Sequence, residues 1–423
     1  MRSVANIESL YLDFDGFFAS VEQQCNSLLR GRPVGVVAFE GATKPDHRGI
    51  YPGAMIACSK EAKAAGLTNV MKSQEAKERC PELILVAQKP DLYRRAQDAL
   101  LNEIERVIPI DKRKSIDEIT CIVDAGGQRD PESLAQAIKT RIRQAIGEQI
   151  TCSIGMSANR MLSKIACKLD KPNGLTILHP HDLPGPLLSL SFDDIPGIGP
   201  GNIRRLYSAG IVNMTRLWES EPKQIRKLWG NVNGERLWYA LHGYDVKAQP
   251  SKRGMFGHSR ILPPDERAVP DVRAFSRILL TKAARRMRRD GFRAAGLYFT
   301  AALYNRTYRD SLSLPHVSDD QAILGALMKL WERAASVINE CDRIYQIGVV
   351  LVDLYDVQER QLDLLHYDDS TRQRWEVLTR TTDDLNRRFG RTAISLGPWP
   401  MKAGSLAGGK ISFTRIPAAE DFF

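Results

Sequence analysis

The sequence predicts an α+β chain of several domains. A length of 423 residues corresponds to roughly three domains of ordinary size. Strand and helix patterns alternate through residues 9–169, whereas residues 175–243 show only helical patterns. A stretch of linker composition at 244–255 then precedes a β-α-β-β-α-β order of elements over 256–355. The chain therefore combines a mixed domain, a helical domain and a second mixed domain.

Composition favours a polyanionic partner. The formal net charge is +10, and residues 251–300 contain twelve Lys and Arg against four acids. A basic balance of this kind suits nucleic acid or an anionic surface. The seven cysteines form no CxxC pair, which argues against zinc and favours a reducing compartment. No apolar run reaches the length of a membrane span, so we expect a cytoplasmic protein without membrane contact.

The first element carries two acids. Residues 9–14 form a predicted strand and 16–29 a helix. Side chains alternate along a strand, so Asp13 and Asp15 lie on one face, where two carboxylates repel unless a cation lies between them. The alternative is an ordinary polar turn that ends the strand. The elements that follow are predicted as a strand (34–39), a loop (40–52), two helices (59–66 and 73–79), a strand (83–87) and a helix (93–107).

A second acidic site follows about a hundred residues later. Asp117 and Glu118 precede the apolar residues 119–123, which suggests carboxylates in the turn between two antiparallel strands. An isolated acidic pair is usually exposed on the surface and has no specific function. Together with Asp13 it becomes a candidate site with oxygen ligands only, which suits Mg²⁺ or Mn²⁺.

Basic and glycine-rich features come next. The predicted helix 159–169 carries Arg160, Lys164 and Lys168 at four-residue spacing, a face that either contacts phosphate or is simply solvated. In the segment 194–201, Gly197 and Gly199 give the pattern of a helix-hairpin-helix, whose backbone N–H groups can approach a DNA phosphate; the alternative is a tight helical turn.

The residues after this hairpin complete the helical domain and form the last one. Residues 215–242 are predicted to be helical, with tryptophans in the core. The β-α-β-β-α-β order that follows indicates a split βαβ arrangement with both helices on one sheet face. The first helix of this domain is predicted at 270–290. Five cations lie opposite its apolar stripe, the last of them just beyond its end, and they favour contact with a polyanion over mere solvation: Lys282, Arg285, Arg286, Arg289 and Arg293.

These motifs, in this order, resemble the Y-family of translesion DNA polymerases. The matching segments are LDFDGFFASVE at 12–22, SIDE at 115–118, the segment 153–174 and IPGIG at 195–199. Segments at 61–66, 361–365 and 385–397 resemble the UmuC branch more than the DinB branch. The resemblance implies a right-hand polymerase with a palm (1–30 and 81–174), fingers (31–80), a helical thumb (175–243), a linker (244–255), a little finger (256–355) and a tail (356–423).

The resemblance also implies roles for individual residues. Asp13, Asp117 and Glu118 are the catalytic acids that ligate two Mg²⁺ with help from the Phe14 carbonyl, while Asp15 has a less direct role. Phe18 is the steric gate under the sugar, with Phe17 beside it. Lys164 matches the lysine that holds the triphosphate. Where many members carry Tyr and Arg in the fingers, this chain has Lys60 and Lys63, which lack the bidentate geometry of arginine.

The implied partners are primer-template DNA, dNTP and, through the segment 361–365, a bacterial sliding clamp. In that segment Leu364 and Leu365 would fill an apolar pocket while Gln361 bonds at its rim and Leu362 lies between them; an ordinary amphipathic segment is the alternative. The UmuC resemblance adds a UmuD-type accessory subunit and a recombinase filament. Two other functions are alternatives: a non-catalytic DNA-damage adaptor, which would lose the acids kept here, and a nucleotidyl cyclase, which would lack the hairpin and basic domain.

Overall fold

The computed structural model describes residues 2–247, 253–358, 370–398, 416–418 and 421. The chain divides into two compact units, one made of residues 1–249 with 411–416 and the other of 250–410 with 417–423. The strands are β1 (Arg2–Ser3), β2 (Ser9–Phe14), β3 (Val34–Val37), β4 (Met55–Cys58), β5 (Ile84–Ala87), β6 (Ile110–Arg113), β7 (Glu118–Ile122), β8 (Cys152–Ser157), β9 (Leu175–Ile177), β10 (Tyr244–Asp245), β11 (Met255–Ile261), β12 (Phe292–Leu303), β13 (Thr307–Val317) and β14 (Ile344–Asp356). The α-helices are α1 (Phe17–Cys25), α2 (Lys60–Ala64), α3 (Ser73–Arg79), α4 (Pro90–Ile104), α5 (Ala125–Arg129), α6 (Pro131–Ala145), α7 (Arg160–Leu169), α8 (Pro200–Ser208), α9 (Met214–Trp218), α10 (Pro222–Trp229), α11 (Val232–Leu241), α12 (Val269–Arg289), α13 (Asp320–Ala334) and α14 (Ser370–Phe389).

A five-stranded sheet of order β6-β7-β2-β8-β9 is the centre of the first unit. Strand β2 pairs antiparallel with β7 on one side and β8 on the other, and its apolar residues are buried on both faces. Helix α7 packs closely on β8 at Gly155, where a Cβ would lie 2.1 Å from the carbonyl oxygen of Ser163. Glycine at this position therefore permits the contact between helix and sheet.

A smaller sheet of order β4-β3-β5 has its own core. Strand β3 pairs antiparallel with β4 and parallel with β5. The sequence patterns had placed β3 and β5 but not β4. Gly16, which joins β2 to α1, has a φ of +53° and lies so close to β4 that a Cβ would be 2.9 Å from the Cys58 carbonyl oxygen. Only glycine fits this turn without strain.

The middle of the chain is helical. The residues predicted as one helical stretch, 215–242, form three separate helices, α9 to α11, which share a core cluster with α7 and α8. Pro222 begins α10, and Gly230 ends it with a φ of +72°. These two residues break the stretch because proline starts a helix well and glycine tolerates a left-handed ending.

The second unit contains the predicted β-α-β-β-α-β order. Its sheet has the order β11-β14-β12-β13, and all three pairings are antiparallel. Helices α12 and α13 bury their apolar stripes in one core cluster with the sheet. The sequence pattern predicts this second helix over 319–341, whereas α13 ends at Ala334. A further helix, α14, also belongs to this unit.

The segment 361–365, predicted to bind a clamp, lies outside the described residues. Within the described ranges, no helix combines the length and apolar character that crossing a membrane requires.

Candidate active site

Two acidic segments meet at one end of the five-stranded sheet. In the β2–β7 register Asp13 lies opposite Glu118. The backbone N–H of Phe14 donates to the Asp117 carbonyl oxygen at 2.8 Å, and this bond ties the turn before β7 to the end of β2. Antiparallel pairing thus brings together residues more than a hundred positions apart in sequence, as the motifs predicted.

The carboxylates of this end already contact cations of the chain itself. Lys171 Nζ lies 2.5 Å from Asp13 Oδ1, and Lys164 Nζ lies 2.6 Å from Glu118 Oε1. Lys164 also donates to the Tyr11 hydroxyl at 3.0 Å. All these side chains are partly buried, so each carboxylate pairs with a positive charge in a region that excludes most water.

The electrostatics of these acids favour an added cation. The pKa of Asp13 is raised to about 6, mainly by burial; Lys171 opposes this shift, and the charges of Asp117 and Glu118 contribute to it. Burial also raises the pKa of Asp117 although Ser115 donates a hydrogen bond to it. A nearby cation favours the ionised form of crowded carboxylates such as these.

The donor set fits magnesium chemically. Three carboxylates and a backbone carbonyl are hard oxygen donors, the ligands that Mg²⁺ and Mn²⁺ take in proteins. As placed, no group of three His, Cys, Asp or Glu side chains in the described part of the chain is arranged to hold a metal ion. The ammonium groups of Lys164 and Lys171 lie on Glu118 and Asp13, where a divalent ion would compete with them.

Asp15 takes a different part from Asp13. Its carboxylate accepts hydrogen bonds from Thr151 Oγ1 at 2.9 Å, Ser153 Oγ at 2.8 Å and the Asn173 backbone N–H at 2.8 Å. It therefore anchors the segment before β9 to the start of β8. The less direct role of Asp15 in catalysis stays a prediction.

The two phenylalanines at the start of α1 have different surroundings. Phe17 is buried, and its ring lies 5.5 Å from that of Phe14. Phe18 is partly buried and stacks on Tyr93 of α4, with 4.5 Å between ring centroids and 14° between planes. Of the two, Phe18 is the side chain with a surface that a ligand could reach.

The predicted triphosphate lysines of the fingers lie on α2. Ser59 caps this helix by accepting from the Ala62 backbone N–H, and the side chains of Lys60 and Lys63 are exposed on its first turns. Exposed ammonium groups there are available to an anionic ligand, and the contact with nucleotide stays a prediction.

The glycines of the hairpin are accessible. Gly197 has a φ of +95° and Gly199 caps α8, and neither would bring a Cβ within 4 Å of other atoms. Arg204 and Arg205 of α8 line a groove of about 480 Å³ on the same segment. The N-terminal turn of α8 and these cations form a surface on which a phosphate can lie.

The cations predicted on the second unit's first helix are largely engaged within the chain. Arg293 pairs with Glu376 of α14 at 2.7 Å, and Arg285 pairs with Asp383 of α14 at 3.5 Å. The other three have these contacts: Lys282 donates to the Asp421 carbonyl oxygen, Arg286 to the Gly257 carbonyl oxygen, and Arg289 to Asp290. Lys282, Arg286 and Arg293 are buried as a result. DNA contact by these five residues stays a prediction, and their observed partners are acids and carbonyls of the chain.

Sequence reasoning missed Lys171. It had assigned the triphosphate lysine to Lys164, whereas the structure places a second ammonium, that of Lys171, directly on Asp13. The signal was present in the segment 153–174, where Lys171 lies between an acid and the Pro-Asn-Gly turn that follows α7. Nothing in a local pattern shows that this turn returns to the end of β2.

The fold and the site define a class. A mixed sheet with paired carboxylates at its end, a smaller sheet beside it, a helical hairpin segment and a β-α-β-β-α-β unit together make a right-hand polymerase. A solved Y-family DNA polymerase chimera has the same fold, with a TM-score of 0.67 and 24% identity over 82% of this chain and 99% of that one.

Sequence comparisons identify the family. Models of the impB/mucB/samB family match residues 12–168, and those of its C-terminal domain match 253–364. The DNA polymerase IV of Moorella thermoacetica is 31% identical over 95% of this chain and 98% of its own length. That of Oceanobacillus iheyensis is 29% identical over 91% and 90%. The chain belongs to the impB/mucB/samB family, the Y-family of translesion DNA polymerases. The comparisons do not distinguish the UmuC from the DinB branch, so the UmuC placement stays a prediction.

Proposed function

We propose that this chain is a DNA-directed DNA polymerase that adds dNTPs to a primer 3′-OH, releases pyrophosphate and tolerates damaged template bases in the SOS response to DNA damage. The observation that carries the proposal is the β2–β7 register, which sets Asp13 opposite Glu118 beside Asp117. Relatives named DNA polymerase IV, similar over nearly the whole chain, support the same activity.

Four residues would hold two Mg²⁺, with Mn²⁺ as a substitute: Asp13, Asp117, Glu118 and the carbonyl of Phe14. Bound there, the ions would make the primer 3′-OH a better nucleophile and stabilise the leaving pyrophosphate. The protein's part is to hold the acids rigidly. Asp13 and Glu118 lie on adjacent paired strands, and Ser115 fixes Asp117 by a hydrogen bond. This rigidity matters because phosphoryl transfer depends mostly on positioning and charge stabilisation.

The lysines would bind the triphosphate. Lys164 and Lys171 now neutralise Glu118 and Asp13, and cations bound at those carboxylates would free both ammonium groups to pair with phosphate oxygens. Lys60 and Lys63, exposed on α2, would contact the same group from the fingers. Phe18 would lie under the deoxyribose, where a 2′-OH would collide with its ring, with Phe17 buried behind it.

Binding of primer-template DNA would be independent of sequence. Backbone N–H groups at Gly197 and Gly199 would bond to phosphates, and cations of the second unit would add attraction that weakens with salt. In this proposal the segments 1–30 with 81–174, 31–80, 175–243 and 256–355 act as palm, fingers, thumb and little finger. A sliding clamp at 361–365, a UmuD-type subunit and a recombinase filament are proposed partners, and the cytoplasm is the proposed location.

Primer extension tests the proposal. The purified chain should extend a primer on an undamaged template and past an abasic site when Mg²⁺ is present, and extension should stop in EDTA. Asp117→Asn should abolish extension on both templates, whereas Asp111→Asn, a change to an exposed acid on neighbouring β6, should not. Extension by Asp117→Asn at the wild-type rate, or none by the wild-type chain, would overturn the assignment.

A further inference from the structure

The Phe18 ring packs against Tyr93, a residue that has no part in the catalytic and binding roles proposed above. Phe18 and Glu22 lie four residues apart on α1 and therefore on one face of that helix. Tyr93 of α4 lies across both of them. Its ring stacks on Phe18 at 4.5 Å, and its hydroxyl donates to Glu22 Oε1 at 2.9 Å. The tyrosine thus touches the ring and the carboxylate at the same time.

This contact is fixed from both ends. Tyr93 is fully buried and Glu22 is only 1% exposed. A buried carboxylate requires compensation, which Glu22 obtains from Lys89 Nζ at 2.7 Å from Oε2. Burial, with the nearby charge of Glu22, raises the pKa of Tyr93 well above its ordinary value, so the hydroxyl keeps its proton and remains a donor. Tyr93 of α4 therefore contacts α1 twice, through its ring on Phe18 and through its hydroxyl on Glu22.

A steric gate needs a backing. A phenyl ring excludes a 2′-OH only if it does not turn or retreat when the extra oxygen presses on it. The stacked Tyr93 ring occupies the space into which Phe18 would retreat. A hydrogen bond to Glu22 prevents Tyr93 itself from giving way, because the buried carboxylate would otherwise lose a donor. The stiffness of the gate is thus set by residues that do not touch the sugar.

We propose that Tyr93, held in place by Glu22, is a positioning residue that fixes the Phe18 ring and thereby sets the discrimination between dNTP and rNTP. This inference rests on the proposed polymerase activity and on the proposed role of Phe18. The quantity that tests this inference is the selectivity ratio, which is the kcat/KM for a dNTP divided by the kcat/KM for the matching rNTP. A residue that only stabilised the fold would lower both values together and leave this ratio unchanged.

Three variants test it. Tyr93→Leu removes the ring, and the selectivity ratio should fall by roughly two- to tenfold, the range in which an aromatic pair contributes. Tyr93→Phe keeps the ring and loses the hydroxyl, so its ratio should lie between those of Tyr93→Leu and the wild type. Leu100→Ala is the matched control: this residue is equally buried on α4, two turns further along, and its loss should lower stability without altering the ratio.

The Phe18→Ala background separates the possible failures. If Phe18→Ala leaves the selectivity ratio unchanged, Phe18 is not a gate and both proposals fail together. If Phe18→Ala lowers the ratio while Tyr93→Leu and Tyr93→Phe do not, the positioning inference alone is overturned. The inference predicts that Tyr93→Phe lowers the ratio in the wild-type chain but adds no further loss to Phe18→Ala, because both act on the same ring. Should Tyr93→Leu fail to fold, the Tyr93→Phe cycle decides alone.

Discussion

Removing the Asp383 carboxylate should weaken the attachment of α14 to α12 within the second unit. Asp383 accepts two hydrogen bonds from Arg288 of α12, from Nε at 2.7 Å and from Nη2 at 3.0 Å. Arg285 lies 3.5 Å from the same carboxylate. Both Arg288 and Asp383 are nearly buried, at 12% and 13% side-chain exposure. The change Asp383→Ala therefore leaves donors of a buried guanidinium without their acceptor.

The expected loss of stability depends on the partners that Arg288 retains in Asp383→Ala. Breaking a buried ion pair by deleting one partner costs about 3–5 kcal/mol. Arg288 keeps Asp320 at 2.8 Å and the Ser318 carbonyl oxygen at 2.8 Å, so its charge is still compensated. The pKa of Arg288 is raised although burial opposes this, since Asp320 and Asp383 both favour the charged form. With one of the two acids left, we expect the lower end, about 3 kcal/mol.

Hydrogen exchange measures this loss at α14 directly. Protection of amides in residues 370–389 should fall by about a hundredfold in Asp383→Ala, the factor that corresponds to ~3 kcal/mol. Asp384→Ala is the matched control, because Asp384 is 61% exposed and pairs only with exposed Arg387 among the described residues. Its effect should stay within ~0.5 kcal/mol. Equal protection in both variants would refute the reasoning.

Three further outcomes are expected. Burial of His242 between Trp218 and Trp238 lowers its pKa below 6.5, so the unfolded chain takes up the proton first and stability falls as pH drops below 6.5, by at most about 1.4 kcal/mol per pH unit. Thermal unfolding at pH 7.5 and 5.5 should show a weaker pH dependence in His242→Phe; an identical dependence would remove His242 as the cause. Binding of an immobilised bacterial sliding clamp should be lost when Gln361 and Leu364 are both changed to Ala, and retention would discard the clamp peptide. DNA affinity, measured by fluorescence anisotropy, should fall steeply between 50 and 200 mM salt, as counterion release requires, whereas a flat titration would exclude phosphate-dominated binding.

Local patterns predicted the elements that carry strong periodicity. Strand β2, helix α12 and the order β11-α12-β12-β13-α13-β14 follow from alternation or from an apolar stripe. Length alone does not explain why β4 was missed, because β3 and β5 are equally short and were predicted. The candidate site of Asp13, Asp117 and Glu118 was proposed from the two acidic segments, and the resemblance to a known family added their roles. The register that brings them together is a long-range pairing.

Contacts between distant charged faces were not predictable. The cations of α12 and the acids of α14 each look like a solvated helix face, since neither face contains apolar residues that would reveal a partner. The chain pairs them across about 95 residues, as Arg288 with Asp383 shows. For the same reason the basic helix was taken as a DNA surface. Lys171 was missed because its partner Asp13 lies 158 positions away in sequence.

The central claim is that Asp13, Asp117 and Glu118 form a metal-dependent centre for templated nucleotide addition. The most direct test is the single-turnover rate of addition of one correct dNTP, measured against Mg²⁺ concentration in the wild-type chain and in Asp13→Asn. The wild-type rate should be zero without Mg²⁺ and should rise to saturation. The variant should remain at least about 10³-fold slower at every concentration, with DNA binding retained, because it lacks charge stabilisation of the transition state. Addition without a divalent ion, or by Asp13→Asn at the wild-type rate, would contradict the claim.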